Sequence, residues 1–424
     1  MKKYTLLTIL ILITTAGVFG LDFGGNLEDS TLYYHASDSD IYHADTVSFW
    51  LRTGVWKDTA LFAQGSYTYS TDQAYAFDID LFKVENKSLS FLNYIFGRFH
   101  TSDFSGYVFN GRLDGASGTL NFPWGQISAQ AGYTGLMFNT SAIEMTLADQ
   151  QDADGVFDLE SPRLVGGVEA VLPDIFLMQD ITAGLWLQFD LRPEPDLTSA
   201  GGKLSTQYFG VKVNGSPVLN LYYDAFAFLG TGQTLSWINS TYVYKPLISF
   251  LGSAGARYYI PELLSSVADV RILYSSGDKD YASSFLEGNT DGNGTTFTPV
   301  TAKSSALVFN PKAGNLVFIK AGYSLKPFSS MPGDMLNRIQ VNLTGVTFFR
   351  PTTGQISESG INPASSELYL GSEIDGTVNF RPYSDLGLSL SGGVFMPNNK
   401  SGGAFLESRR TTEFLIRLGL SFSF

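Results

Sequence analysis

Cysteine is absent from this chain of 424 residues, and histidine occurs only three times. Disulfide frameworks, thiolate zinc sites and cysteine nucleophiles are therefore excluded, and few imidazoles remain for metal binding. Charged residues make up only 16% of the chain, against roughly 25% in ordinary soluble domains. Basic residues number 27 against 40 acidic ones, so the chain offers no positive field to a nucleic acid. These deficits disfavour a soluble enzyme and a nucleic-acid-binding protein.

Long apolar runs are also missing, because no stretch after the first twenty residues approaches the ~18 residues of a membrane-spanning helix. The start of the chain is different in character. Two lysines follow Met1, an apolar run covers 6–13, and Gly20 is a small residue suited to cleavage. This layout predicts a cleaved signal peptide over 1–20, and an uncleaved membrane anchor is the alternative. Residues 21–424 are then expected to form one exported domain.

What the chain does contain is strict alternation of large apolar residues with polar or small ones. In the last segment the apolar set is Phe414, Ile416, Leu418, Leu420, Phe422 and Phe424. Such a period of two puts the apolar side chains on one face of an extended strand. About twenty candidate strands follow from this pattern. They lie near 22–35, 45–53, 58–70, 75–84, 88–99, 114–122, 125–136, 162–172, 180–191, 204–213, 217–229, 234–244, 247–258, 266–276, 303–310, 315–325, 336–350, 366–381, 385–396 and 412–424.

The connections between these strands alternate in length. Short ones carry turn residues, such as Pro123 in 122–125 and Pro382 in 381–383. Longer loops are predicted near 137–161, 277–302, 351–365 and 397–411. If both termini lie in the periplasm, the short turns fall there and the long loops face outward. By this count the segment 277–302 is the exception, because it is long and yet is placed on the periplasmic side. Either a strand nearby is miscounted or the periplasmic insertion is real.

Alternation alone also fits a secreted β-sandwich, which buries one face of each strand. Twenty such strands in water would need one very large shared core, whereas in lipid each apolar face meets hydrocarbon. Closure into a barrel also satisfies every backbone hydrogen-bonding group, which a bilayer requires. The sequence therefore predicts an all-β fold, a transmembrane antiparallel up-and-down β-barrel of about 16–20 strands.

The end of the chain, Thr411 to Phe424, resembles the terminal strand of Gram-negative outer-membrane proteins, which alternates apolar residues and ends in Phe. In that family the strand is the signal read by the barrel-assembly machinery. The size and strand number are similar to those of porins, although no motif names a subfamily. The resemblance implies a barrel in the lipid bilayer of the outer membrane, as a monomer or a trimer, that interacts with small hydrophilic solutes.

The register of the alternation assigns a set of charged side chains to the inside of this barrel. Opposed acidic and basic groups across a constriction would create a transverse field that orients polar solutes. The alternative is that they are solvated lumen residues paired with their neighbours. The predicted pore-lining residues are Arg52, Asp78, Asp80, Arg98, Glu169, Arg257, Arg271, Lys320, Arg338, Glu373, Asp375 and Arg417.

One acidic segment resembles a calcium-binding loop, since it combines carboxylates at short spacing with a glycine for a sharp turn. Its candidate ligands are Asp152, Asp154, Asp158 and Glu160. Ser161 stands where the helical-hairpin calcium motif carries its last ligand. Acidic external loops without a metal are the alternative, and no other cofactor is expected.

An enzyme is one alternative, because His100 and Ser102 are spaced as in barrel phospholipases. The Asn-Gly expected after that serine is replaced by Asp103-Phe104, so we expect no enzymatic activity. The sequence instead predicts a passive channel for small hydrophilic solutes. The net charge of −13 gives a mild preference for cations. The alternatives are a substrate-specific transporter, for example for hydrophobic compounds, and a surface adhesin or structural barrel that acts through its loops.

Overall fold

A computed structural model describes residues 20–36, 39–71, 75–138, 143–152, 159–176, 178–193, 203–239, 241–281, 285–286, 292–331, 333, 335–400 and 402–424. Eighteen strands make up most of this part of the chain. They are β1 (Leu21–His35), β2 (Ser39–Trp56), β3 (Thr59–Ser70), β4 (Ala76–Leu89), β5 (Leu92–Ser102), β6 (Asn110–Phe122), β7 (Gly125–Tyr133), β8 (Arg163–Phe176), β9 (Gln179–Asp190), β10 (Leu204–Val218), β11 (Leu221–Ile238), β12 (Thr241–Ile260), β13 (Ser266–Ser275), β14 (Leu316–Leu325), β15 (Ile339–Phe349), β16 (Tyr369–Phe380), β17 (Leu386–Pro397) and β18 (Glu413–Ser423).

The helical content of the described residues is small. One α-helix, α1, covers Leu147–Asp152, and two short 3₁₀ helices cover Met335–Arg338 and Glu407–Arg409. No helix among these residues has the length and apolarity needed to cross a membrane. The predicted signal peptide over 1–20 lies outside the described residues except for Gly20.

Each strand pairs antiparallel with its neighbours in sequence, and β1 pairs with both β2 and β18, so the sheet closes. The predicted barrel of about 16–20 strands is thus confirmed as a closed 18-stranded barrel. Alternation separates the two faces as expected. Along β9, Trp186 and Gln188 are 1% and 0% exposed, whereas the next outward residue, Phe189, is 43% exposed. Apolar side chains therefore cover the outside of the wall.

Two predicted strands are wrong. The stretch 234–244 is the tip of one long hairpin, in which β11 ends at Ile238 and β12 begins at Thr241. Asn239 takes a φ of 49° at this turn, a left-handed conformation that Asn tolerates better than most residues. The stretch 303–310 is not in the wall, because its backbone lies inside the barrel and bonds to a side chain of β16. Its apolar alternation reflects packing within the lumen.

The two ends of the barrel differ in their connections. At the turn end, which carries Leu21 and Phe424, most connections have two residues, as at 57–58 and 123–124. At the opposite end, the loop end, the longest connections are 134–162, 276–315, 350–368 and 398–412. The segment 277–302 therefore belongs to the loop end, together with the other long connections. The wrongly predicted strand at 234–244 adds one strand to the count before this segment, and it thereby assigns the segment to the wrong end of the barrel.

The interior of the barrel near the loop end is filled by an apolar cluster rather than by polar side chains alone. Wall residues such as Trp186 and Phe348 contribute to it, together with loop residues such as Phe109, Phe297 and Phe309. The ring of Phe309 stacks on the ring of Phe395 with centroids 4.3 Å apart. Long loops thus fold back into the barrel and bury their apolar side chains there.

Candidate functional site

Two loops reach into the barrel and contact each other. Loop A is the β5–β6 connection, residues 103–109, and loop B is the β13–β14 connection, residues 276–315. The backbone N–H of Val300 in loop B donates to the carbonyl of Val108 in loop A at 2.9 Å. The Lys303 ammonium donates to the carbonyl of Ser105 at 2.9 Å and lies 4.1 Å from the ring centroid of Tyr107. The two loops therefore contact each other inside the barrel and together narrow the lumen.

The conformation of loop A is stabilised by one buried carboxylate, that of Asp103. Asp103 is 2% exposed, and one of its oxygens accepts the backbone N–H groups of Val108 at 2.9 Å and Phe109 at 2.8 Å. Its other oxygen accepts the N–H groups of Ser105 at 2.7 Å and Gly106 at 3.1 Å. A carboxylate that satisfies several backbone donors fixes a turn that has no ladder partners.

Two predicted pore-lining acids hold the loops to the wall. Glu373 of β16 is 1% exposed and accepts the backbone N–H groups of Leu307 at 2.9 Å, Val308 at 2.7 Å and Phe309 at 2.8 Å. Glu169 of β8 accepts the N–H of Phe104 and the indole N–H of Trp186. Asp375 follows Glu373 on the same inward face, opposite Thr344 of β15. The carboxylates of Glu169 and Glu373 thus contact loop backbone, and do not stand free in the lumen.

Beside the loops lies a cavity of about 770 Å³, which we call the basic cavity. Its walls include three lysines, and each lysine donates to a backbone carbonyl of an inward loop rather than to a carboxylate. Lys212 of β10 reaches the carbonyl of Phe104 at 3.1 Å, and Lys320 of β14 reaches that of Ser305 at 3.1 Å. Lys303 is the third. A bond to a carbonyl fixes the position of an ammonium group without pairing it directly with a carboxylate.

Two predicted arginines also line the basic cavity. Arg271 of β13 forms a two-pronged ion pair with Asp224 of β11, with N–O distances of 3.0 and 2.6 Å. Arg257 of β12 lies opposite Asp269 of β13 in the ladder. With the three lysines, five basic side chains therefore meet three acidic ones, Asp180, Asp224 and Asp269, around one cavity. The local charge is positive although the whole chain is strongly acidic.

A larger cavity, of about 1580 Å³, opens at the turn end. Its lining includes the predicted residues Arg338 and Arg417, together with Arg381 and Glu28. Arg338 lies in a 3₁₀ helix of the β14–β15 connection, where it donates to the carbonyl of Pro382. Arg52 lines a third cavity at the same end. Basic side chains thus occur at the turn end as well as beside the inward loops.

Three predicted pore-lining residues, Asp78, Asp80 and Arg98, lie instead where the pairing between β4 and β5 is interrupted, which we call the seam. The ladder between β4 and β5 stops at Phe82 and Arg98, and the earlier residues of β4 pair with β3 alone. Gly97 takes a φ of 114° here, and a Cβ would lie 2.2 Å from the carbonyl oxygen of Phe82, so only glycine fits. The guanidinium of Arg98 then donates to Ile79 O across the gap at 2.9 Å.

Ion pairs fill the rest of the seam. Arg98 forms a two-pronged pair with Asp114, at 2.8 Å for both contacts. Arg112 of β6 contacts Asp78 at 2.7 Å and Asp80 at 3.3 Å. The charges of Asp78 and Asp80 are therefore offset by arginines of the neighbouring wall, and neither residue lines the basic cavity.

The β7–β8 connection, residues 134–162, carries α1 and is held to the wall by a buried network of ion pairs. Asp149 of α1 contacts Arg163 of β8 at 2.8 Å and also pairs with Arg192. Burial alone would raise the pKa of Asp149, but the two arginines outweigh it and lower that pKa to about 2. Of the predicted calcium ligands, Asp154, Asp158 and the side chain of Asp152 lie outside the described residues. Glu160 is buried, 5% exposed.

Sequence reasoning missed two functional residues, Asp103 and Lys303. The predicted strand 303–310 places Lys303 at the start of a wall strand, and the sequence marks Asp103 only as the residue that replaces an expected asparagine after Ser102. A signal did exist for Asp103, because an Asp followed at two residues by Ser105 and at three by Gly106 is a common turn sequence. The contact of Lys303 with loop A depends on the path of a 40-residue connection, which alternation does not reveal.

No family model matches the sequence, and no curated protein matches it either. Solved structures do match. The Pseudomonas aeruginosa protein OccK8 (OprE) has a TM-score of 0.59 at 11% identity, covering 96% of this chain and 98% of that one. OccK11 (OpdR) from the same organism has a TM-score of 0.58 at 10% identity, with 95% of each chain covered. OccK2 (OpdF), solved in complex with glucuronate, has a TM-score of 0.56 at 11% identity, covering 95% and 96%. At these identities the likeness shows the fold.

Proposed function

We propose that the protein is a passive outer-membrane channel for small hydrophilic solutes and that it favours anions. The basic cavity beside loops A and B carries this proposal. The apolar outer wall suits a lipid bilayer, and the closed sheet leaves no edge within it. The turn end would then face the periplasm and the loop end the cell exterior. Strand β18 (Glu413–Ser423) would present the signal for the barrel-assembly machinery during insertion.

The preference for anions follows from the position of the charges. Lys212, Lys303 and Lys320 point ammonium groups at the narrowed part of the lumen, and their bonds go to carbonyl oxygens. A single charge about 4 Å from a permeating ion is worth about 1 kcal/mol in water, close to fivefold in local concentration. OccK2, a neighbour in fold, was solved with glucuronate, a sugar carboxylate. Small carboxylates are therefore the solute class that we propose.

Transport on this proposal involves no chemical step. His100, the histidine whose spacing to Ser102 is that of the barrel phospholipases, lies opposite Arg112 in the β5–β6 ladder. A cationic neighbour at that position does not orient an imidazole as a general base in the way that a carboxylate would. Lumen shape and lining charge are then sufficient for selection.

The test is the reversal potential of purified, refolded protein in a planar lipid bilayer under a potassium chloride gradient. The wild type should be more permeable to chloride than to potassium. Replacing Lys212, Lys303 and Lys320 together by glutamine should lower the chloride-to-potassium permeability ratio about fivefold or more. The control is Lys57→Gln, in the exposed two-residue turn after β2. A triple variant that folds and conducts with an unchanged reversal potential would refute anion selection, and folded wild type without current would refute the channel.

A further inference from the structure

The outside of the barrel carries a cluster of three metal-binding side chains that the channel does not use. Asp29 lies on β1, and His43 and Asp45 lie on the neighbouring strand β2. One ligand atom from each residue lies within 4.8 Å of the other two. The ladder places Asp29 directly opposite Asp45, next to the outward pair Leu27 and Val47 two residues away. All three residues are partly exposed on the outer face, where a dissolved ion has access.

The distances within this cluster match the edges of a tetrahedral metal site. His43 Nε2 lies 3.2 Å from an oxygen of Asp45 and 3.7 Å from an oxygen of Asp29. A tetrahedral zinc ion with ligands at about 2.0–2.2 Å has ligand–ligand edges of about 3.3–3.6 Å. The two edges that meet at His43 Nε2 therefore match a tetrahedral site to within a few tenths of an ångström, and the two carboxylate oxygens lie within 4.8 Å of each other.

The histidine is already oriented for this role. Its other ring nitrogen, Nδ1, lies 2.9 Å from the hydroxyl of Thr31, which can accept the Nδ1–H and leave Nε2 with its lone pair. The backbone of His43 is held on its far side by Thr71, which accepts its N–H through a hydroxyl oxygen at 3.2 Å. A histidine that binds zinc almost always donates its other ring N–H to an oxygen acceptor, usually a carboxylate, a backbone carbonyl or a water. Here the hydroxyl of Thr31 stands in that place.

The location explains why a cation would be retained there. Tyr67 and Tyr69 of β3 lie opposite Val47 and Asp45, so the cluster is level with aromatic side chains of the kind that line a membrane interface. Two carboxylates facing each other repel, and a cation between them removes the repulsion. The imidazole selects among cations, because Ca²⁺ and Mg²⁺ take oxygen ligands whereas zinc-class ions take nitrogen and oxygen together.

We propose that Asp29, His43 and Asp45 bind one divalent transition-metal ion of the zinc class on the outer wall of the barrel. A water molecule from outside the barrel occupies the fourth position. This site is independent of the lumen, since its side chains point away from the basic cavity, and it would exist even in a barrel that does not conduct.

Metal binding is tested on the full-length protein, refolded in detergent, stripped with a chelator and titrated with Zn²⁺ or Mg²⁺ by calorimetry. The wild type should bind one equivalent of Zn²⁺, and Mg²⁺ should not compete. His43→Ala should abolish this binding. Thr31→Val, which leaves all three ligands in place, should weaken it about tenfold. The matched control is His35→Ala, because His35 lies at the end of the neighbouring strand β1 and its Nδ1 likewise contacts a hydroxyl, that of Ser39, at 2.8 Å.

A second readout reports the geometry of the site. Co²⁺ in place of Zn²⁺ gives intense visible bands when it is four-coordinate and weak ones when it is octahedral. The proposal predicts intense bands in the wild type and in His35→Ala, and weak bands in Asp45→Asn. It is overturned if the wild type binds no Zn²⁺, if His43→Ala binds as tightly as the wild type, or if His35→Ala loses the same binding. Heat-dependent mobility on a gel confirms that each variant is folded.

Discussion

Replacing Asp103 by Asn is the sharpest test of how loop A is held inside the barrel. The wild-type carboxylate accepts four backbone N–H groups, two on each oxygen. An asparagine has one oxygen, so one pair of donors would face an NH₂ group instead. Hydrogen bonds to a charged group contribute about 1.5–3 kcal/mol each, and neutral ones about 0.5–1.5. Losing two of the first kind and weakening the other two should destabilise the closed conformation of the loop by about 3 kcal/mol or more.

Amide hydrogen exchange measures this opening directly, because exchange protection reports the free energy of local unfolding. A loss of about 3 kcal/mol corresponds to protection lowered about 100-fold at Val108 and Phe109. The effect should extend to Val300, whose N–H donates to the carbonyl of Val108. It should not extend to Leu307, because Glu373 holds that amide independently. A local change is thereby distinguished from unfolding of the whole barrel.

The control for this experiment is Asp385→Asn, which makes the same chemical change at an exposed residue of the turn end. Protection at Val108 and Phe109 should match the wild type in this variant. Unchanged protection at both amides in Asp103→Asn would refute the assignment of Asp103 as the residue that shapes loop A. Equal loss at Leu307 would show that the two loops open as one unit and that Glu373 adds nothing.

Two further predictions concern stability. The lowered pKa of Asp149 means that its ion network stabilises the fold fully above about pH 4 and loses that contribution as pH falls towards 2, by about 2 kcal/mol. Asp149→Asn should remove this acid-dependent loss, which urea midpoints measured at pH 5 and pH 2.5 in micelles would show. Phe309→Ala removes a 0%-exposed ring that stacks on Phe395, so it should cost about 3–5 kcal/mol. Phe91→Ala, at a ring 55% exposed, should leave the urea midpoint almost unchanged.

The wall of the barrel could be predicted from the sequence because lipid and lumen impose opposite demands on alternate residues. Along β9 a single period of two separated Trp186 and Gln188 from Phe189, and the structure agrees. The same logic failed at 234–244, since a hairpin whose strands are both long keeps the alternation on each side of its turn. In the structure the left-handed φ of Asn239 marks that turn. The sequence shows only an asparagine there, and asparagine is also common in other loops.

The contents of the lumen could not be predicted in this way. Phe348 lies near the end of the predicted strand 336–350, where nothing in the sequence marks it as a lumen residue, but it is 0% exposed and its ring lies 5.0 Å from that of Phe309. The apolar residues of 303–310 read as a strand for the same reason, because a segment packed inside a barrel also alternates between two environments. What distinguishes these cases is a contact with a residue far along the chain, such as Glu373.

The total charge of the chain likewise differs from the electrostatic field at the narrow part of the lumen. The whole chain carries −13, which from the sequence favours cations. Ion selection depends on charges near the narrow part of the path, since screening in physiological salt limits an exposed charge to about 8 Å. Asp78 and Asp80 are offset by Arg112, and Asp149 is offset by Arg163 and Arg192, so these acids add little there. Three lysines bonded to carbonyl oxygens remain beside the inward loops, and their field, rather than the total, would decide which ions pass.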